Sequence, residues 1–319
     1  MQLFDPALLE LAAEQQEFNA KIMEATAGMT SIDTTSVDGL AWIRRAMEPG
    51  GLFGFEALDF PEVRTIAGPD GPIPLRVMTP DSVDGVYLHL HGGGMTMGSA
   101  LAMDRRNWPL AQACNVAVVS VDYRLAPEHP FPAGPQDAEA AALWLIDNAA
   151  AEFGTDRLLI GGESAGAYLS LLTMVRVRDR QAAPPPFLGM DLCYGVYDWG
   201  GTPSARQLIG KVPYATGEGA NRGHYLPGRT PEECRDPEVS PLWAELHELP
   251  PALLTVGTSD WLLDDSLFAA ARLAAAGNAV ELAVYPHGPH GIESAPTTLG
   301  RTARERLYSF LRECLKSAS

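Results

Sequence analysis

Three observations predict an α/β fold with a mostly parallel central sheet and helices on both faces. From about residue 85 onward, short apolar runs of strand character alternate with longer segments of helical period. Run 116–121 is apolar or small throughout, as expected of a strand buried on both faces. The chain has 319 residues and is 46% hydrophobic, which is enough for one large α/β domain with an accessory layer.

The elements follow in order. Residues 3–27 read as a helix, with Leu8, Leu11, Ala12, Phe18, Ile22 and Met23 on a broad apolar face. A second helix is expected over 37–47. Both precede any strand, so they read as a layer over the repeating core. Segments 63–66 and 74–78 flank Gly68-Pro69-Asp70-Gly71, a turn signal that predicts an antiparallel hairpin. A strand over 86–90 runs straight into His91-Gly92-Gly93-Gly94. Then come helix 104–113, strand 116–121 and helix 135–151, which turns Ala138, Ala141, Ala142, Leu145 and Ile146 inward. Strand 158–161 and helix 167–180 follow. Strands 187–194 and 252–257, helix 264–275, strand 280–285 and helix 301–315 complete the pattern. Stretch 198–237 breaks the rhythm. It is rich in glycine and proline, and its length suits a lid or cap better than a plain loop.

Gly162-Glu163-Ser164-Ala165-Gly166 lies between a predicted strand and a predicted helix, the context of a nucleophile elbow. The expectation is a strained serine, with Gly162 and Gly166 required because a Cβ would clash across the turn. The following helix points its N-terminus at Ser164 and favours developing negative charge there. A serine nucleophile needs a base, and the base needs an orienting acid, in chain order Ser, Asp or Glu, His. Of seven histidines, only His287 and His290 follow both the elbow and strand 252–257. His290 is preferred because Gly291 would let the backbone pass closely. Asp260, just after a strand, is preferred as the acid. Asp264 and Asp265 compete, but they fall in the first turn of a helix, where carboxylates favour the dipole without any catalytic role. Donors for an oxyanion are expected from Ala165 N–H and from the glycine run Gly92, Gly93 and Gly94.

These motifs, with Asp122-Tyr123-Arg124-Leu125-Ala126-Pro127-Glu128-His129-Pro130-Phe131-Pro132-Ala133, resemble the bacterial hormone-sensitive-lipase family of α/β-hydrolases over roughly residues 60–316. The resemblance implies a triad of Ser164, Asp260 and His290. It also implies an oxyanion hole of Gly93 and Ala165 with Gly92 or Gly94. Tyr123, Arg124, Glu128 and His129 would brace the loop beneath the site. A cap would be built from residues 1–55 and 198–237, over a catalytic domain of 56–197 and 238–319. Two positions depart from the family pattern: Glu163 stands where Asp is usual, and Ile292 where Phe is usual. Gly-Glu-Ser-Ala-Gly also occurs in type-B carboxylesterases, but those use a glutamate as triad acid and need a far longer chain.

The implied activity is hydrolysis of short- to medium-chain acyl esters. Amide, carbamate or lactone hydrolysis on the same triad is the rival within enzymes. A non-catalytic small-ligand receptor is the rival outside them, and the retained histidine argues against it. Met95, Met97, Trp108 and Trp199 could line an apolar pocket or belong to the core. The net charge is −17, with no Lys/Arg cluster, which argues against a nucleic-acid partner. Cys114, Cys193, Cys234 and Cys314 show no disulfide or zinc spacing. No metal or cofactor is implied. Absence of a secretory signal and of any run of about 18 apolar residues suggests a cytoplasmic protein without a membrane span. Self-association as a homodimer stays open.

Overall fold

Four strands in the computed structural model, which describes residues 3–26, 34, 36–52, 54–208 and 222–317, are buried from end to end. They are β3 (Gly85–Leu90), β4 (Val116–Val121), β5 (Leu158–Glu163) and β7 (Ala252–Gly257). Complete burial requires cover on both faces, and side-chain alternation supplies two cores. Val86, Leu88, Leu90, Val119, Val121, Leu158 and Ile160 point to one side. Tyr87, Val116, Val118 and Leu159 point to the other. Each aliphatic side chain so buried contributes about 1.5–3 kcal/mol relative to exposure.

The sheet has eight strands in the order β1-β2-β4-β3-β5-β6-β7-β8. β1 (Glu62–Gly68) and β2 (Gly71–Met78) form the predicted antiparallel hairpin and add to the sheet edge through β2 and β4. From β4 through β6 (Phe187–Cys193) to β8 (Val280–Tyr285) all neighbours are parallel. Helices α4 (Ala133–Phe153), α5 (Ala165–Gln181) and α7 (Leu263–Ala275) cover one face. Helices α3 (Asp104–Cys114) and α8 (Thr298–Ser317) cover the other. The chain leaves β3 toward β4 and leaves β5 toward β6, on opposite sides. Adjacent strands with diverging connections open a crevice at their carboxyl ends, where ligands bind in such sheets. Here those ends carry His91-Gly92-Gly93-Gly94 and Ser164.

The N-terminal layer differs from expectation at its start. A 3-10 turn, Pro6–Leu11, precedes α1 (Ala12–Thr26), because Pro6 follows a capping Asp5 whose carboxylate accepts from Ala7 N–H at 2.9 Å. Leu8, Leu11 and Phe18 pack on Tyr285, Ile292, Ala295, Leu299 and Ala303, whereas Ile22 and Met23 are 37% and 60% exposed. Helix α2 (Val37–Ala46) is capped by Ser36. Within the predicted insertion, α6 (Pro203–Leu208) and residues 222–237 are described; residues 209–221 lie outside the described set. All four cysteines are free and buried. Among the described residues no helix is long and apolar enough to cross a membrane.

Candidate active site

Ser164 sits between β5 and α5 at φ 55°, ψ −115°, a conformation that costs a non-glycine residue on the order of 1–3 kcal/mol. Its N–H donates to Cys193 O at 2.9 Å, which fixes the turn against the end of β6. The flanking glycines are required, for a different reason from the one expected. A Cβ on Gly162 or Gly166 would lie 2.0 or 1.8 Å from the Leu90 carbonyl, so the obstacle is chiefly the neighbouring strand.

The glycine run after β3 turns sharply, with Gly93 at φ 124° and Gly94 at φ 61°. Gly93 O turns back to accept from Thr96 and Met97 N–H. Among the described residues, none accepts from the N–H of Gly93, Gly94 or Ala165. Gly92 is different, and the expectation for it is corrected. Its N–H donates to Glu163 Oε1 at 2.9 Å and is already spent. Glu163 Oε2 accepts from His89 Nε2 at 3.1 Å, and Arg106 Nε of α3 stands 3.4 Å away. Burial alone would raise the Glu163 pKa; Arg106, His89 and the Gly92 N–H outweigh it and bring the carboxyl to about 2. His89 is held neutral by burial. Its Nε2 carries the proton toward Glu163, and Nδ1 faces Ser120 Oγ at 2.8 Å and Asn107 Nδ2 at 3.0 Å.

Asp260 follows β7 and His290 follows β8. His290 Nδ1 lies 2.9 and 3.1 Å from the two Asp260 oxygens, so Nδ1–H donates and Nε2 is left as the basic nitrogen. Asp260 is fully buried and accepts a further bond from Leu262 N–H at 2.8 Å. The imidazole stacks on Trp261 at 4.1 Å and meets Tyr194 edge-on at 4.6 Å. Tyr194 directly follows Cys193, the acceptor of Ser164 N–H, so one dipeptide separates the serine turn from the histidine ring. The acid and histidine loops touch through backbone. Ser259 N–H donates to Gly288 O at 3.0 Å, and a Cβ on Gly257 would lie 1.9 Å from that same oxygen.

The rival residues have other partners. His287 faces Gln16 of α1 at 3.1 Å, and Asn19 donates to its carbonyl at 2.8 Å. Asp264 accepts from Ser204 N–H at 2.8 Å. Asp265 accepts from Tyr197 N–H, Asp198 N–H and Thr202 Oγ at 2.7, 2.9 and 2.5 Å. These two carboxylates anchor the start of the 198–237 segment rather than only facing a helix dipole, and burial pushes Asp265 up to about 7. Gly291 is needed for its φ of 80°, not for closeness: a Cβ there would meet nothing within 4 Å.

Of the expected pocket residues, Met95 is 1% exposed and its methyl lies against Gly134, so it is core. Trp108 packs edge-on to Phe60 at 4.7 Å against the α3–α8 core, the second of its two expected places, and not in an apolar pocket. Trp199 is buried 5.6 Å from Tyr168 and 5.0 Å from Tyr225. Met97 is half-buried at the glycine turn. The Asp122 stretch lies under that turn: Tyr123 OH donates to His91 O at 2.6 Å, and Arg124 clasps Asp137 at 2.8 Å. Arg44 of α2 donates to Thr96 O and Ala126 O at 2.7 and 2.6 Å and pairs with Glu128 at 2.7 Å. Among the described residues, no three His, Cys, Asp or Glu side chains converge as a metal site.

The comparisons agree with this architecture. A family described as the alpha/beta hydrolase fold matches residues 87–294. The carboxylic ester hydrolase LipN of Mycobacterium tuberculosis is 33% identical over 85% of this chain and 75% of its own. An ethyl acetate hydrolase of Pseudomonas putida is 32% identical over 68% of this chain and 70% of its own. An esterase of Pyrobaculum calidifontis superposes with a TM-score of 0.74 at 30% identity, covering 88% of this chain and 91% of that one. The chain therefore belongs to the α/β-hydrolase family, in its bacterial hormone-sensitive-lipase branch.

Proposed function

We propose that the protein is a serine carboxylesterase acting on short- to medium-chain acyl esters, with Ser164 as nucleophile, His290 as base and Asp260 as its orienting acid. The observation that carries this reading is the His290 Nδ1–Asp260 pair at 2.9 Å, with the ring one dipeptide from the serine turn. His290 Nε2 takes the Ser164 proton as Oγ attacks the ester carbonyl. The oxyanion forms at Gly93, Gly94 and Ala165 N–H, where each such donor is worth about 2.7–4 kcal/mol of barrier. His290 returns the proton to the departing alkoxide. Water, deprotonated by the same nitrogen, then releases the acid. Short acyl groups suit relatives such as the ethyl acetate hydrolase. Residues 1–55, whose α1 packs on the histidine loop and whose Arg44 donates to the glycine turn, would form the cap together with 198–237. Met97 and Trp199 remain the acyl-pocket candidates.

A nitrophenyl ester panel from acetate to dodecanoate tests the reading, run beside amide, carbamate and lactone substrates. Wild type should turn over the short esters fastest, and Ser164→Ala should lose about 10⁶-fold in kcat while melting like wild type. Equal turnover by Ser164→Ala, or preference for any non-ester class, would reject it.

A further inference from the structure

We propose that Arg106, on α3 and outside the catalytic constellation, is a positioning residue that holds the oxyanion turn through Glu163. This rests on the esterase reading above. The path is short. Arg106 Nε lies 3.4 Å from Glu163 Oε2, and the opposite oxygen, Oε1, accepts the Gly92 N–H at 2.9 Å. Gly92 begins the turn whose next two N–H groups have no acceptor among the described residues. Glu163 is also the residue before Ser164, so one carboxylate sets the spacing between nucleophile and oxyanion donors. The carboxylate makes those bonds only as an anion with both oxygens accepting; a proton on one oxygen turns an acceptor into a donor facing His89 or Gly92.

The guanidinium acts through charge. Its Nε and Nη2 make no hydrogen bond to any of the carboxylates around it. Those are Glu163 at 3.4 Å, Asp191 at 3.6 Å and Glu293 at 3.7 Å. Every element packed around Glu163 contributes polar groups: Tyr87 and His89 from β3 with His91 just after it, Tyr123 after β4, Asp191, Cys193 and Tyr194 at β6, and Glu293 after the histidine loop. Arg106 is the positive charge among them, since burial lowers the pKa of both His89 and His91 and keeps them neutral. Without it, burial of Glu163 has chiefly His89 and the Gly92 N–H against it, and the carboxyl takes up a proton at higher pH. A buried carboxylate stripped of its partner is far costlier than an intact pair.

The test compares wild type, Arg106→Met, Arg106→Lys and the double variant Arg106→Met/Glu163→Gln. Activity on a short nitrophenyl ester is followed across pH. Arg106→Met should lower kcat about 10- to 100-fold at neutral pH, as a misplaced oxyanion donor does, with KM within about threefold because Arg106 touches no substrate. In wild type the acid limb of log kcat should have a slope of about one, from a single protonation; in Arg106→Met it should steepen toward about two as Glu163 joins it. Arg106→Lys should keep the single slope, and the double variant should lose the steepening. Unchanged kcat in Arg106→Met overturns the proposal. So does steepening that persists in the double variant, which would assign the proton to Asp191 or Glu293.

Melting gives a readout independent of activity. On the proposal, removing Arg106 should carry the folded-state pKa of Glu163 above its unfolded value. Its stabilising contribution is then full below the unfolded pKa and lost as pH rises through the folded one. The Tm gap between wild type and Arg106→Met should therefore widen with rising pH, and this widening should vanish when the double variant is compared. A gap that stays constant with pH overturns the coupling. An inactive wild type with the widening intact would reject the esterase reading and leave the Arg106–Glu163 link standing.

Discussion

At the carboxyl ends of β3 and β5 the site is held by ionised side chains, whereas at the ends of β7 and β8 it is held by backbone and rings. The Gly92 turn hangs on the Glu163 carboxylate, and Arg106 stands behind it. The histidine loop instead hangs on Ser259 N–H to Gly288 O, on Thr258 N–H to Tyr285 O at 2.9 Å, and on a ring clamped between Trp261 and Tyr194. The first half should respond to pH and to changes of charge. The second should respond to added volume and be nearly indifferent to charge, apart from the one carboxylate, Asp260, proposed to orient the base.

That exception carries the largest expected effect in the second half. Asp260→Asn should lower kcat by about 10⁴-fold, because an amide nitrogen facing Nδ1 favours the wrong imidazole tautomer. Asp264→Asn should leave kcat within about threefold, since Asp264 is engaged with Ser204. The panel used for Ser164→Ala measures both. If Asp264→Asn or Asp265→Asn matched the Asp260→Asn loss, the orienting acid would be misassigned and the two halves would share more charge than the geometry gives them.

The parts of this design that were legible in the sequence are those that leave a local pattern. Central strands buried on both faces must be mostly apolar, so β3, β4 and β7 stood out despite His89, Ser120 and Thr255, and Ala138, Ala141, Ala142 and Leu145 of α4 are buried as their period required. Chain order narrowed the base to His287 and His290, and a place just after a strand favoured Asp260 over Asp264 and Asp265. What was not legible depends on partners far along the chain. Arg106 is a helix residue with nothing in its own neighbourhood to mark it, and its main partner lies on another element. Glu163 was visible only as a departure from the family pattern; that it would occupy Gly92 N–H required the register of β3 against β5. Met95 and Trp108 are apolar residues near a motif, and proximity in sequence does not say which way a side chain faces. Asp264 and Asp265 sit where helix-dipole logic places acids, so the sequence could not reveal that they tie down residues 197–204.

The backbone-held half can be broken by volume. Gly257→Ala would place a Cβ about where Gly288 O now sits, 1.9 Å away, and must push the acid and histidine loops apart. A misplacement on the order of 1 Å costs about 10²-fold in rate, so kcat should fall by about 10- to 100-fold with Asp260 and His290 visibly separated in a crystal structure. Gly291→Ala adds the same atom next door, where nothing lies within 4 Å. It should cost only the strain of an alanine at φ 80°, about 1–2 kcal/mol in stability, with kcat near wild type. If both glycines behaved alike, the loop contact would not be what holds the pair.

The smallest effect is expected from His287→Ala, and it decides which histidine belongs to which region. His287 is three residues from His290, yet its ring faces Gln16 of the N-terminal layer, not a carboxylate. The backbone around it is fixed independently of the ring. Its N–H donates to Thr258 Oγ at 2.8 Å, and its carbonyl accepts from Asn19. An alanine keeps both bonds and loses only an exposed hydrogen bond to Gln16, worth about 0.5–1.5 kcal/mol at most. Activity on the short esters should stay within about twofold of wild type, with a slightly lower Tm. The same small shift should appear in Gln16→Ala, because the two changes remove one contact. A collapse of kcat in His287→Ala comparable to that of His290→Ala would reverse the histidine assignment. It would also move the N-terminal helix from a layer resting on the site to a part of it, since the base would then be oriented by α1 rather than by the loop after β7.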